Sequence, residues 1–148
     1  MSRPRRTLRA LESVTARPPG LTLGEALVLA VSWQPEAEQV IALCILPGGK
    51  DANLARRTGR VAWAYHQLRE AVRRLEPSAA RHEADQLLNY HEQLVDQALL
   101  LGYRPDSAER ERVAGHFRGG LGGPAERLRR LCEDVNGSVM PAPRRINP

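Results

Sequence analysis

The sequence predicts an all-α fold, a compact bundle of about five to six helices built around an antiparallel hairpin over 51–75 and 78–101. Three observations carry this. In the first hairpin segment Leu54, Val61, Leu68 and Leu75 recur every seven residues, with Tyr65 and Val72 between them. In the second, Ala80, Ala84, Leu87, His91, Leu94, Ala98 and Leu101 alternate at gaps of four and three, and only a helix gathers such sets on one face. Finally, aromatic residues make up only 4% of the chain, so the core must be built from Leu, Val and Ala. That composition favours helix-on-helix packing over a sheet sandwich, which leans on β-branched and aromatic residues.

The elements follow in order. Residues 1–20 hold Arg3, Arg5, Arg6, Arg9 and Arg17 and end in Pro18-Pro19-Gly20, a flexible arm with at most a helical turn over Leu8 to Val14. Thr22 with Glu25 matches a capping box, so a helix starts there and runs to about Trp33. Pro35 suits the first turn of a second helix that ends before Pro47. The apolar run 40–46 fits a buried helix or a buried strand by period. The helix is the better reading because a lone strand would have no partner.

Asp51 caps the third helix, with Thr58 as an alternative start because Gly59 weakens the first turns. Glu76-Pro77 links it to a fourth helix capped by Ser78 and ended by Gly102. Asp106 with Glu109 reads as a second capping box, for a helix to about Phe117. Gly119 to Gly123 is a loop, and Pro124 opens a last helix that Asn136-Gly137 would stop with a left-handed cap. A single helical domain over 21–135 is therefore expected, followed by a disordered Pro- and Arg-bearing tail over 136–148.

Charge is unevenly placed. The net charge of +5 comes from the ends, where residues 1–20 carry about +4 and 136–148 carry Arg144 and Arg145. The body is near neutral. Lys50 is the lone lysine among 22 basic residues, a bias that points to a high-GC bacterium or phage as readily as to phosphate contact. Within the hairpin, Arg56, Arg57, Arg60, Arg69, Arg73 and Arg74 face a partner helix bearing Glu83, Asp85, Glu92 and Asp96. Such complementary flanks favour pairing inside the chain, and they would equally drive a homodimer by swapping helices.

No run approaches the ~20 apolar residues a bilayer crossing needs, so no membrane role is expected. The twin arginine near the start is followed by Glu12 and Arg17 rather than an apolar segment, which argues against export. Cys44 and Cys132 lie in apolar runs without metal-like spacing and read as free thiols in a reducing cytoplasm.

Chemistry-bearing residues are sparse. His91 sits on the apolar stripe, where it would be a pH-sensitive pivot, a ligand, a general base, or a packed histidine bonded to a backbone carbonyl or to Tyr65. The four histidines show no HxxxH or ExxH arrangement, so no metal is expected. The GGLGGP loop precedes a helix start that could attract an anion, with Arg127 and Arg130 nearby, but it lacks the Lys-Ser/Thr of a P-loop and a preceding strand. A flexible elbow is the simpler reading. No nucleophile elbow, catalytic carboxylate pair or cofactor fingerprint is present, so neither an enzyme nor a cofactor is expected.

What remains is binding. A non-catalytic interaction or regulatory protein with a protein partner is the first expectation, with Trp33, Trp63, Arg56, Arg57 and Arg60 as contact residues. The alternative is a nucleic-acid-associated protein using Arg3, Arg5, Arg6, Arg9, Arg144 and Arg145 as phosphate contacts. A helix-turn-helix over Asp106 to Val135 is disfavoured by its long Gly-rich connection.

Overall fold

The computed structural model describes residues 20–47 and 51–137. Among them are six helices and no strand: α1 (Leu23–Ser32), α2 (Gln34–Ile45), α3 (Ala52–Arg73), α4 (Ala79–Gly102), α5 (Ala108–Gly115) and α6 (Gly123–Gly137). The run 40–46 is thus helical. The expected arm and tail, apart from Gly20, Asn136 and Gly137, lie outside the described residues.

Local chemistry sets most of the helix starts. Thr22 Oγ1 accepts from Glu25 N at 3.1 Å, and the Glu25 carboxylate accepts from Thr22 N at 3.0 Å. This reciprocal box opens α1. Asp51 caps α3 by accepting from Leu54 N at 2.8 Å, and Ser78 caps α4 through Arg81 N at 3.0 Å. With a cap at Asp51, α3 begins at Ala52 and passes through Gly59, rather than starting at Thr58. The α5 cap is Ser107, which accepts from Arg110 N at 3.0 Å; the box expected at Asp106 does not form because the chain turns helical one residue later.

Two other expectations change. The hairpin link spans 74–78 instead of Glu76-Pro77 alone, and Arg81 reaches back across it to donate to Leu75 O at 3.0 Å. That guanidinium sits where the negative end of α3 leaves carbonyls without helical partners. At the other end of the chain, α6 stays helical through Gly137, with no left-handed residue at Asn136-Gly137. The Asn136 side chain instead donates to Cys132 O at 2.9 Å and to Gly24 O at 3.2 Å, tying the last turn of α6 to the first of α1.

α4 is the central helix. It pairs along its length with α3 and packs against α2 and α6, with lighter contacts to α1 and α5. The buried faces are wider than the predicted stripes, adding Thr58 and Ala62 in α3 and Leu88 and Val95 in α4. Leu27, Ile41, Val61, Tyr65, Leu88, Val95 and Leu128 are among the fully buried side chains that join α1, α2, α3, α4 and α6 in one core. Charge follows the hairpin as expected: Arg69 and Arg73 both reach Asp85, at 3.0 and 3.3 Å, and His66 meets Glu92 at 3.2 Å.

The loop before α6 turns through left-handed residues at Gly120 and Gly122. Glu38 of α2 accepts from Leu121 N at 3.2–3.3 Å there, and a side chain on Gly120 would collide with that carboxylate. The anion that this loop attracts is therefore supplied by the chain itself.

One end of the bundle is closed by Arg110. Its side chain is 2% exposed and has no carboxylate within ion-pair distance among the described residues. It donates to Cys44, Ile45 and Leu46 carbonyls at 2.9–3.3 Å and to Leu101 O at 3.3 Å, so one guanidinium satisfies the carbonyl ends of α2 and α4 together. Replacing it by Met leaves these acceptors without their donor, two of them buried. Urea unfolding of Arg110→Met is expected to lose ~3 kcal/mol, against a change of ~0.5 kcal/mol or less for the exposed neighbour variant Arg112→Met. Equal small losses would contradict this account of the end closure.

Candidate interaction surface

α3 presents opposite faces to different surroundings. Val61, Tyr65, Leu68 and Val72 point into the core, so residues half a turn away point out. On that outer side Arg56, Arg60 and Trp63 fall at i, i+4 and i+7, one line along the helix, and all three are exposed. Trp63 is 61% exposed although it sits in the middle of a 22-residue helix. Its indole stacks on the His66 imidazole, with ring centres 5.6 Å apart and planes 27° from parallel. His66 is in turn held by Glu92, so the indole rests on an anchored partner.

The other predicted contact residues separate from this line. Arg57 turns towards α2, donating to both Glu36 carboxylate oxygens at 2.9 and 3.0 Å and to Gln39 at 3.2 Å. Those hydrogen bonds are the main reason the Glu36 carboxyl lies below its ordinary range; burial works against them, and the Arg57 and Arg60 charges add to the lowering. Arg57 is thus engaged within the fold. Arg56 and Arg60 make no ion pair among the described residues. Trp33 is half-buried at the bend between α1 and α2, where it packs against the core. The six arginines Arg3, Arg5, Arg6, Arg9, Arg144 and Arg145 lie outside the described residues.

His91 is fully buried in the middle of the bundle, more deeply than the stripe position implies. Its Nδ1 donates to Leu87 O at 2.7 Å, which fixes the neutral tautomer and leaves Nε2 to accept from Gln34 at 3.1 Å. The Gln34 amide also donates to Ala125 O at 3.2 Å, and its oxygen accepts from Arg129 at 2.9 Å. Tyr65 lies against the imidazole at 5.1 Å and donates its hydroxyl to Ala30 O at 3.1 Å, while Tyr90 meets the ring edge. Gln34, Thr58, His91 and Arg110 are the buried polar residues among those described; the sequence placed His91 on the apolar stripe with a backbone carbonyl as partner and missed Gln34 and Arg110. The one available signal was a polar Gln34 between two apolar helices.

No group of three His, Cys, Asp or Glu side chains among the described residues could hold a metal ion. None of the described helices is long and apolar enough to cross a membrane. No family model, curated protein or solved structure matches the chain.

The buried imidazole makes stability depend on pH. Burial is the main cause that lowers the His91 pKa; the Arg129 charge adds to it and the Leu87 carbonyl opposes it. The unfolded chain binds the proton near pH ~6.5 and the folded chain only below that. The stabilisation is therefore complete above ~6.5 and is lost as pH falls from there towards the folded value, at up to ~1.4 kcal/mol per pH unit. Unfolding titrations from pH 7.5 to 5.5 should show this slope in the native chain and a shallower one in His91→Gln.

Proposed function

We propose that this chain is a non-catalytic helical interaction protein that binds an acidic protein surface through the outer face of α3. The observation that carries the reading is Trp63, exposed in mid-helix with Arg56 and Arg60 aligned beside it. A large indole held in water is unfavourable by ~1.5–3 kcal/mol relative to burial. Trp and Arg are also the residue types that dominate binding energy at protein interfaces. Spacing at i, i+4 and i+7 suits a helix laid into a groove, the apolar indole entering and the guanidinium groups meeting acidic residues at its rim. Cytoplasmic residence in a high-GC bacterium or phage belongs to the same reading; Cys44 and Cys132 are not joined in a disulfide, as suits a reducing compartment.

A photo-reactive amino acid placed at Gln67, one turn beyond Trp63, would capture the partner in the source cells. Purified partner is then expected to bind Trp63→Ala roughly thirtyfold more weakly, a loss of ~2 kcal/mol, with helix content unchanged. Arg56→Glu with Arg60→Glu should weaken binding further and reduce its salt dependence. Unchanged affinity in Trp63→Ala would end this reading.

A second reading has one observation in its favour. Asn136 donates to Gly24 O, so the last turn of α6 lies beside the first turn of α1. Arg3, Arg5, Arg6 and Arg9 with Arg144 and Arg145 would then reach one phosphate backbone together. Fluorescence anisotropy with labelled duplex and single-stranded nucleic acid decides it. Binding that falls steeply with salt and is lost when these arginines become glutamine favours the nucleic-acid reading. No binding at low salt removes it.

A further inference from the structure

The support under Trp63 is itself titratable. The indole stacks on His66, whose side chain is 38% exposed, so the imidazole exchanges protons with solvent. Carboxylates meet the ring at its two nitrogens. From α4, a Glu92 oxygen lies 3.2 Å from Nδ1; from α3, a Glu70 oxygen lies 4.0 Å from Nε2, one helical turn along. Asp96 of α4 stands near as well: burial raises its carboxyl pKa, and the His66 charge opposes that rise. The cation on this side is Arg69 of α3, which donates to Asp85 at 3.0 Å and stands 3.9 Å from the second Glu92 oxygen. That oxygen is buried and has no hydrogen-bond partner among the described residues. Around His66, three carboxylates therefore share one guanidinium that is already engaged.

The two ring nitrogens meet this field differently. A carboxylate only accepts hydrogen bonds, so Nδ1 carries the proton that faces Glu92. In the neutral ring Nε2 then bears a lone pair, and the nearest charged group to it is the Glu70 carboxylate, which offers lone pairs too. A proton on Nε2 turns this opposition into an attraction, so the ring is held from both sides. It also sets a cation against the indole, and at exposed sites such a contact is favoured roughly two- to fivefold over its neutral counterpart. Histidine is the side chain that takes up a proton between about pH 5 and 8.

We infer that His66 is a positioning residue that couples Trp63 to pH: when the imidazole takes up a proton, Glu92 and Glu70 clamp the ring and the indole is held stacked on it. Binding through Trp63 then strengthens as the pH falls, because the anchor is already ordered before the partner arrives. The positive charge gained beside Arg56 and Arg60 acts in the same direction towards an acidic surface. This gain in affinity rests on the reading of Trp63 as a contact residue; the clamp itself does not.

Trp63 in the free full chain reports the clamp without any partner. A protonated imidazole quenches indole emission on contact, so native fluorescence is expected to fall in one reversible step between roughly pH 8 and 5, with circular dichroism unchanged. The step should vanish in Trp63→Phe, which leaves Trp33 as the emitter, and in His66→Gln, which keeps the indole. NMR relaxation of the Trp63 indole N–H should show a less mobile ring at the acid end in the native chain. In His66→Gln and Glu92→Gln the mobility should be equal at both ends. A step that persists without His66 overturns the proposal, as does an indole no more ordered at low pH. If the step is present while Trp63→Ala leaves partner affinity unchanged, the interaction reading fails and the clamp stands. Affinity lost in Trp63→Ala with no step in the native chain is the reverse.

Discussion

A single guanidinium governs how this bundle closes. Every helix ends in carbonyls without helical partners, and α2 and α4 bring two such ends to the same level in the interior. Cys44 O and Leu101 O are buried there, while Ile45 O and Leu46 O are part-buried. Arg110 supplies a planar fork of donors to both ends, and the negative poles of the two helices stand in for the carboxylate that a buried arginine normally requires. This fixes three things together: α2 and α4 run parallel with level ends, α5 crosses beneath them, and the last turn of α4 has a defined inner and outer side. An aliphatic side chain of equal volume would fill the space and satisfy none of the acceptors.

A comparable arrangement sets register in the middle of the bundle. A core built from Leu, Val and Ala has few large shapes to lock neighbouring helices against sliding, since such surfaces interdigitate in several registers. Gln34 and His91 remove that freedom. The Gln34 amide meets His91 of α4, Ala125 of α6 and Arg129 of α6, so each donor and acceptor is satisfied only at one relative height of the three helices. Glu38 adds a second tie by capturing Leu121 N, and Gly120 leaves room for it. Buried polar groups here specify arrangement more than they add stability, because each bond replaces one to water.

The contrast between these ties and the helix caps explains what could be read from the chain. The capping box at Thr22, the caps at Asp51 and Ser78, and the hairpin with opposite flanks all join residues close in sequence, so spacing alone reveals them. Trp33 and Trp63 were named alike as contact residues, and only the structure separates them: Trp63 lies off the stripe marked by Val61, Tyr65 and Leu68 and is exposed, while Trp33 is half-buried. Arg110 resembled any arginine on a short polar helix, and its acceptors on α2 are more than sixty positions away. Gln34 and Glu38 likewise meet groups on distant helices. Asp106 and Ser107 are both good caps, and only the backbone path decides between neighbours. Arg57 looked equivalent to Arg56 and Arg60, yet one position of helical rotation turns it towards Glu36.

Intramolecular pairing also sorts the surface by what each part can bind. The hairpin consumes Arg69, Arg73, Asp85 and Glu92, and α2 consumes Arg57. Subtracting these leaves charge beside exposed apolar groups at two places, and the two differ in sign content. Around Trp63 the remaining charges are Arg56 and Arg60 on one side, with Glu70 two turns beyond at a loose 4.0 Å from His66. Around Leu100 the remaining charges are one of each sign, Asp96 on the exposed side of α4 and Arg104 in the turn that follows it. The two exposed apolar sites therefore differ mainly in charge arrangement, since both offer apolar area of similar kind.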